Sequence, residues 1–124
     1  MKIDLLANFS VVKEDDIMQT STLFQEFFVE GEIVELAYTH ARDKVVFTNK
    51  RIICYDVQGF TGSKKEFRFF PYSKITSFSV ETAGFFDGDS DFKIWVSGVG
   101  VFSVKFSKSL DIKKIGAYLS KKII

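Results

Sequence analysis

The sequence predicts a mainly β fold with helices: seven antiparallel strands in a small sandwich or partly open barrel, capped by a C-terminal helix and preceded by an N-terminal helical segment. Short runs rich in Val, Ile, Phe and Thr, with a period close to two, fill residues 32–106. Apolar residues return at helical spacing in residues 107–124. A chain of 124 residues with 15 phenylalanines and one proline can also bury a core of its own.

The first block, residues 13–30, predicts a helix. Its apolar residues recur at helical spacing at Ile17, Phe24, Phe27 and Phe28. Three acidic residues, 14–16, stand where the first turn favours negative charge, and Gly31 is a typical residue just past a helix end. We therefore divide the chain into an N-terminal helical extension, residues 1–30, and a β domain, residues 31–124.

The β domain divides into seven strands because residues typical of turns separate its apolar runs. The strands are expected near residues 32–39, 44–48, 51–57, 65–71, 75–83, 92–97 and 100–106. Between the second and third strands, "TNKR" predicts a tight hairpin in which Asn49 tolerates a positive φ. Lys50 and Arg51 are interpreted as its solvated tip, with ligand binding as the alternative.

The last block predicts an amphipathic helix with Ser109 as its N-cap. Its apolar face consists of Ile112, Ile115, Leu119 and Ile123. A single helix that follows seven strands must bury this face, and the open end of the barrel is the available surface. We expect Trp95 to be buried beside it.

Three motifs in order carry a family resemblance. The stretches "FTNKRIICYDVQGFTGSK", "FFPYSKITSFSVETAG" and "DSDFKIWVSG" resemble the bacterial pleckstrin-homology (PH) family of small stand-alone PH-like domains, over about residues 30–123. The resemblance implies two near-orthogonal antiparallel sheets with a C-terminal capping helix. It also implies a non-enzymatic protein without a cofactor that forms ring-like homo-oligomers and acts as an interaction module, with a protein partner that the sequence does not identify.

The alternative function is the binding of anionic lipid headgroups or another small anion. Eukaryotic PH domains typically hold inositol phosphates with basic residues around the loop between their first two strands, and the resemblance matches "YTHARDK" to that loop. Arg42 and Lys44 would contribute there, with Lys50 and Arg51 as further candidates beside the open end of the sheets. Because Asp43 interrupts the cluster, we expect weak or no membrane binding, lost at moderate salt.

The sequence gives little support for catalysis, metal binding or nucleic-acid binding. His40 is the single histidine and no nucleophile motif accompanies it, which argues against an enzyme. "DGDSD" at 87–91 departs from the EF-hand pattern, so no metal site is expected. The stretch "KKEFRFF" predicts a strand with Phe67 and Phe69 toward the core and Arg68 toward water, and a net charge of +1 argues against nucleic acid.

The N-terminal extension carries more apolar residues than a barrel with its own capping helix needs. We expect them to form an oligomer interface, with packing on the same chain as the alternative. The residues assigned to this interface are Leu5, Leu6, Phe9, Phe24, Phe27 and Phe28. Charge favours a head-to-tail contact, because residues 1–62 hold six basic and ten acidic side chains, whereas residues 63–124 hold eleven and six.

The compartment is predicted from the single cysteine and from the start of the chain. Cys54 lies inside an apolar run, which favours a core thiol in a reducing compartment. Residues 1–12 have neither the cleavage pattern of a signal peptide nor the length of a membrane span. We therefore expect a cytoplasmic protein.

Overall fold

The computed structural model describes residues 9–124, which form two β-sheets and two α-helices. The elements are β1 (Ser10–Val11), β2 (Lys13–Glu14), α1 (Ile17–Phe24), β3 (Val34–His40), β4 (Asp43–Thr48), β5 (Arg51–Gln58), β6 (Lys64–Pro71), β7 (Ile75–Glu81), β8 (Asp89–Val96), β9 (Gly100–Ser107) and α2 (Ile112–Lys122). Short 3-10 turns follow α1 at Gln25–Phe27 and β6 at Tyr72–Lys74. The predicted β fold with a C-terminal helix is confirmed, and β3 to β9 are its seven expected strands.

The two sheets enclose one core. Strands β3 to β6 form one antiparallel meander and β7 to β9 form another. The sheet orders are β2-β3-β4-β5-β6 and β1-β9-β8-β7. Alternate side chains of each strand point into the space between the sheets, as a period of two requires. Among the buried residues are Tyr38, Val45, Phe47, Ile52, Cys54 and Phe106.

Helix α2 packs on β7 and β8 and contributes its apolar face to the core. The predicted contacts of Ile112, Ile115 and Leu119 are confirmed, since all three are buried in the core cluster. The N-cap is Asp111 and not Ser109, because the Asp111 carboxylate accepts the hydrogen bond of a first-turn amide.

Trp95 is only half-buried, so the expectation that it lies in the core is wrong. Its neighbour Ile94 takes the inward position on β8 and is buried in the core. Since successive side chains of a strand point to opposite faces, Trp95 lies on the outer face of its sheet.

A hydrogen-bond network ties α2 to the five-stranded sheet. The Tyr118 hydroxyl donates to Glu35 Oε1 at 2.5 Å, and its oxygen lies 2.9 Å from the Thr48 carbonyl oxygen. That carbonyl oxygen accepts a hydrogen bond from the Tyr72 hydroxyl at 2.6 Å. Lys122 Nζ lies 3.3 Å from Glu35 Oε1. The hydrogen bond from Tyr118 lowers the pKa of Glu35, and burial raises the pKa of Tyr118 well above its ordinary value.

The N-terminal segment, residues 9–33, joins both sheets. Strand β1 pairs in parallel with β9, and β2 pairs antiparallel with β3. The predicted helix over 13–30 is therefore too long, because strand pairing holds residues up to Glu14 extended. Helix α1 begins only after Asp16, whose carboxylate caps it by accepting from the Gln19 amide at 2.8 Å.

The N-terminal segment also covers the outer face of the five-stranded sheet. Phe24 is fully buried there. The other buried members of this outer cluster are Val34, Ala37, Val46, Ile53 and Tyr55. Strand β4 is consequently covered on both faces, which accounts for the unbroken apolar run at 45–47.

The outer cluster also reverses the predicted faces of β6. Phe67 and Phe69 pack against the outer cluster, while Phe70 belongs to the core between the sheets. Arg68 lies on the same side of the strand as Phe70, with its guanidinium carbon 5.8 Å from the centre of the Phe102 ring. The prediction was wrong because the N-terminal segment supplies an apolar cover on the outside of the sheet.

Candidate functional site

The four basic residues considered for anion binding lie at opposite ends of β4. Arg42 lies in the turn before β4 and Lys44 near the start of β4. Lys50 lies in the turn after β4, and Arg51 begins β5. A strand of this length spans roughly 20 Å. The structure therefore does not bring the four side chains to one site.

Arg51 is bound within its own chain. Its guanidinium makes two hydrogen bonds to the Glu32 carboxylate, both at 3.0 Å, and a third to the Phe27 carbonyl oxygen at 2.7 Å. Its guanidinium carbon also lies 4.8 Å from the centre of the Phe69 ring. The interpretation of Arg51 as a solvated tip is wrong, because the N-terminal segment supplies partners that are distant in sequence.

Glu32 is the acidic partner of Arg51, and its side chain is fully buried. Burial alone would raise the pKa of Glu32, but hydrogen bonds from the Thr48 hydroxyl, the Val29 amide and Arg51 together lower it. Hydrogen bonds from this many donors favour the ionised form of a buried carboxyl group. The pair fixes the end of the N-terminal segment to the β4–β5 hairpin.

The Asn49 side chain also binds the β4–β5 hairpin to the N-terminal segment. Its amide nitrogen donates to the Gly31 carbonyl oxygen (3.0 Å), and its amide oxygen accepts from the Ile33 amide (2.9 Å). Among the described residues other than glycine, positive φ is found at Ala41 alone, so the expectation for Asn49 is wrong. Lys50 is exposed and forms the tip of the β4–β5 hairpin.

Lys44 makes a second ion pair with the N-terminal segment, at the other end of β4. Its ammonium group donates to the Asp15 carboxylate, which also accepts from the Thr20 hydroxyl at 2.9 Å. Burial alone would raise the pKa of Asp15, but these hydrogen bonds together lower it. Arg42, in contrast, is exposed and donates to the Gly59 carbonyl oxygen at 3.2 Å.

The described residues of the predicted interface pack on their own chain. Phe9 is buried in the core between the sheets and Phe24 in the outer cluster. The Phe27 ring lies 4.7 Å from the Phe67 ring, and Phe28 is partly buried against the outer cluster. Leu5 and Leu6, which complete the predicted set, lie outside the described residues.

The exposed side of the N-terminal segment keeps an apolar surface. A groove of about 440 Å³ lies between α1 and the start of β3. Its apolar lining consists of Ile17, Met18, Phe28, Ile33 and Val34. Met18 is 81% exposed, so the rim of this groove is open to solvent. We call it the N-terminal groove.

A second groove, which the sequence analysis missed, lies where β6 meets the β8–β9 turn. It has a volume of about 400 Å³. Its lining is mostly apolar and comprises Phe69, Phe70, Pro71, Val96, Val99 and Phe102, with Arg68 and Lys74 as the two cations. We call it the β6 groove. It brings together residues from separate strands, so no local motif indicates it.

The remaining candidates do not form a chemical site in the described part of the chain. His40 lies exposed at the end of β3. Within residues 9–124, no group of three or more His, Cys, Asp or Glu side chains could hold a metal ion. Neither of the two α-helices described in that range has the length and hydropathy of a membrane span.

Comparison with known proteins gives consistent matches. The model of the family described as "Bacterial PH domain" matches residues 1–123. The chain is 44% identical over 116 residues to the uncharacterized protein YjqA of Bacillus subtilis, covering 90% of each chain. It is 38% identical over 114 residues to the uncharacterized protein YozO of the same organism, covering 91% of this chain and 94% of that one.

Two solved structures are similar over most of their length. One is a DUF1696 family protein with a pleckstrin-homology domain from Shewanella loihica, with a TM-score of 0.82 and 36% identity, covering 90% of this chain and 96% of that one. The other is a pleckstrin homology domain from Shewanella amazonensis, with a TM-score of 0.74 and 33% identity, covering 89% and 90%. Both carry the fold described above.

Proposed function

Because this chain belongs to the bacterial PH domain family, we propose that it is a non-catalytic interaction module that self-assembles into a homo-oligomer and mediates contacts between proteins. PH domains are generally non-catalytic. The surfaces that would contact other proteins are the two apolar grooves, and no active site is involved.

The observation that carries the proposal is the N-terminal groove. Three apolar side chains, Ile17, Met18 and Ile33, remain exposed on a segment that already contributes Phe24 to the interior. A contiguous apolar surface of this kind is typical of a contact with another protein. Its burial between subunits would remove that surface from water and stabilise the assembly.

The charge distribution supports a contact between unlike surfaces. Exposed acidic residues of the N-terminal segment include Glu26 and Glu30, and α2 exposes Lys113 and Lys121. An acidic face of one subunit that meets a basic face of the next makes a heterologous contact, which closes into a ring when the rotation permits. Charge would then set the orientation while apolar burial supplied most of the affinity.

Light scattering on the full-length protein at micromolar concentration tests the proposal. We expect a mass that is a multiple of the 14.2 kDa chain. Met18→Glu should lower that mass because it places a charge in the apolar contact. Phe60→Glu is the matched control, since Phe60 is fully exposed in the β5–β6 turn and lies in neither groove. A wild-type protein that runs as a monomer would show the proposal to be wrong.

Point substitutions are preferable to a deletion of residues 1–29. Such a deletion would remove Val11 from the core and Phe24 from the outer cluster. The truncated chain would expose the apolar side chains beneath them, so a change in its mass could not be assigned to a lost interface.

Binding of anionic lipid headgroups or another small anion is the alternative function. Of its four candidate residues, Arg42 and Lys50 are exposed, whereas Lys44 and Arg51 are engaged in ion pairs. Two separated cations should give weak binding to anionic liposomes that moderate salt abolishes. Tight, headgroup-selective binding that Arg42→Ala abolishes would favour the alternative.

A further inference from the structure

Two phenylalanines stand fully in solvent on the loop between β7 and β8. Phe85 is 89% exposed and Phe86 is 94% exposed, and their rings lie 4.9 Å apart edge to face. Exposed acidic residues, Asp87 and Asp89, follow them directly. We call these four residues the aromatic tip.

The loop that carries the aromatic tip has a defined turn. The Asp87 carboxylate accepts from the Gly84 amide at 2.8 Å, and the Asp87 amide donates to the Gly84 carbonyl oxygen at 3.1 Å. The loop is tied to β8 by the Ala83 amide, which donates to Ser90 Oγ at 3.3 Å. Both rings are therefore presented on a structured turn, which reduces the entropy lost when they bind.

The β6 groove has the chemistry that matches this tip. An apolar cavity of roughly 150 Å³ admits one benzene ring, so a groove of about 400 Å³ has room for two phenyl groups. Its two cations, Arg68 and Lys74, can form ion pairs with the tip carboxylates that follow the two rings in sequence. Arg68 Nη2 pairs with Glu66, and Arg68 Nη1, which is buried, has no hydrogen-bond partner among the described residues.

The tip cannot reach the groove of its own chain. The tip ends at Asp89, the first residue of β8, and the groove includes Val96, the last residue of that strand. An eight-residue strand separates these points by roughly 23 Å. The occupant of the groove must therefore come from another molecule.

We propose that the aromatic tip of one subunit inserts into the β6 groove of the next. The inference deepens the self-assembly proposed above and rests on it. Phe85 and Phe86 enter between the apolar walls, while Asp87 and Asp89 meet Arg68 and Lys74 at the rim. Because the two surfaces differ and lie at opposite ends of β8, the contact is head-to-tail and leaves a free tip and a free groove until a ring closes.

The experiment uses two full-length variants, each of which breaks one side of the contact. Phe85→Ser with Phe86→Ser removes the tip, and Val99→Asp places a like charge in the groove opposite the tip carboxylates. All three positions are exposed, and far-UV circular dichroism checks that the fold is kept. Phe60→Ser is the control because it removes an equally exposed phenylalanine elsewhere.

Light scattering and native mass spectrometry then give the decisive comparison. Each variant should lower the assembly mass, with the subunit contact weakened roughly thirtyfold, as for an aromatic hot spot, while Phe60→Ser keeps the wild-type mass. A mixture of the two variants should form a one-to-one pair, because the groove of the tip variant can accept the intact tip of the groove variant.

The outcomes separate this inference from the proposal on which it rests. A wild-type monomer refutes both. A wild-type oligomer whose mass neither variant changes refutes the tip contact alone and leaves self-assembly through the N-terminal groove. Variants that dissociate but do not pair when mixed also refute the tip contact, because their effects are then independent.

Discussion

The packing of the N-terminal segment can be tested by removing one aromatic ring. Phe24 is fully buried, and its ring lies edge to face with the rings of Tyr55 (5.6 Å) and Phe67 (5.8 Å). Replacing a buried Phe by Ala costs about 3–5 kcal/mol, because apolar contacts are lost and a cavity remains. Phe24→Ala should therefore lower the free energy of unfolding by about 4 kcal/mol, a large part of the 5–15 kcal/mol typical of a domain.

Urea unfolding followed by circular dichroism measures this change. With a slope of about 2 kcal/mol/M, the midpoint should fall by roughly 2 M. Phe60→Ala is the matched control and should stay within about 0.5 kcal/mol of wild type, because Phe60 is 103% exposed. Phe24→Ala, Phe67→Ala and the double variant should give a coupling of about 0.5–1.5 kcal/mol, the contribution of an aromatic pair. A loss below about 1 kcal/mol for Phe24→Ala would mean that the segment does not pack on this sheet.

Three further predictions follow from buried groups. Leu119→Asp should cost several kcal/mol in urea unfolding, because it places an unpaired charge in the core; a far-UV spectrum dominated by helix would contradict the β core on which this rests. Because the pKa of Glu32 is lowered in the folded protein, its ionised carboxylate stabilises the fold at pH values above 4.5, the ordinary pKa of the group. This stabilisation is lost as the pH falls through the lowered pKa. Glu32→Gln should thus destabilise the protein at neutral pH, and its difference from wild type should narrow as the pH falls below 4.5; a difference independent of pH would contradict the linkage. Because burial raises the pKa of Cys54 to about 12, iodoacetamide at about pH 8 should label the thiol only after unfolding, as mass spectrometry would show; rapid labelling of the native protein would show that the thiol is accessible.

The seven strands and the C-terminal helix were predictable because their signals are local. Alternation in β5 puts Ile52 and Cys54 on one face, and the spacing of Ile112, Ile115 and Leu119 puts all three on the buried face of α2. Such patterns depend only on the periods of the strand and the helix. Strands β1 and β2 were missed because two residues cannot show a period, and their pairing depends on partners far along the chain.

The candidate site was less predictable for the same reason. Arg51 resembles a solvated tip residue in sequence, yet its partner Glu32 is 19 residues away and becomes a partner only when the N-terminal segment folds back. The β6 groove combines Phe70 of β6 with Val96 of β8 and Phe102 of β9, so it exists only after the two sheets have packed. Phe85 and Phe86 are adjacent in sequence, but an apolar pair in a sequence does not show whether it is buried.

The parallel pairing of β1 with β9 has a consequence for biosynthesis. Ser10 pairs with Lys105, so the first described strand must wait for a partner made about 95 residues later. At the usual rates of translation this delay lasts roughly 5–20 s. Phe24 can be covered earlier, because its partners Tyr55 and Phe67 leave the ribosome sooner. The N-terminal segment is thus expected to attach to the nascent chain in two stages, first through α1 and last through β1, and any nascent chain that ends before β9 leaves Val11 without its strand partner.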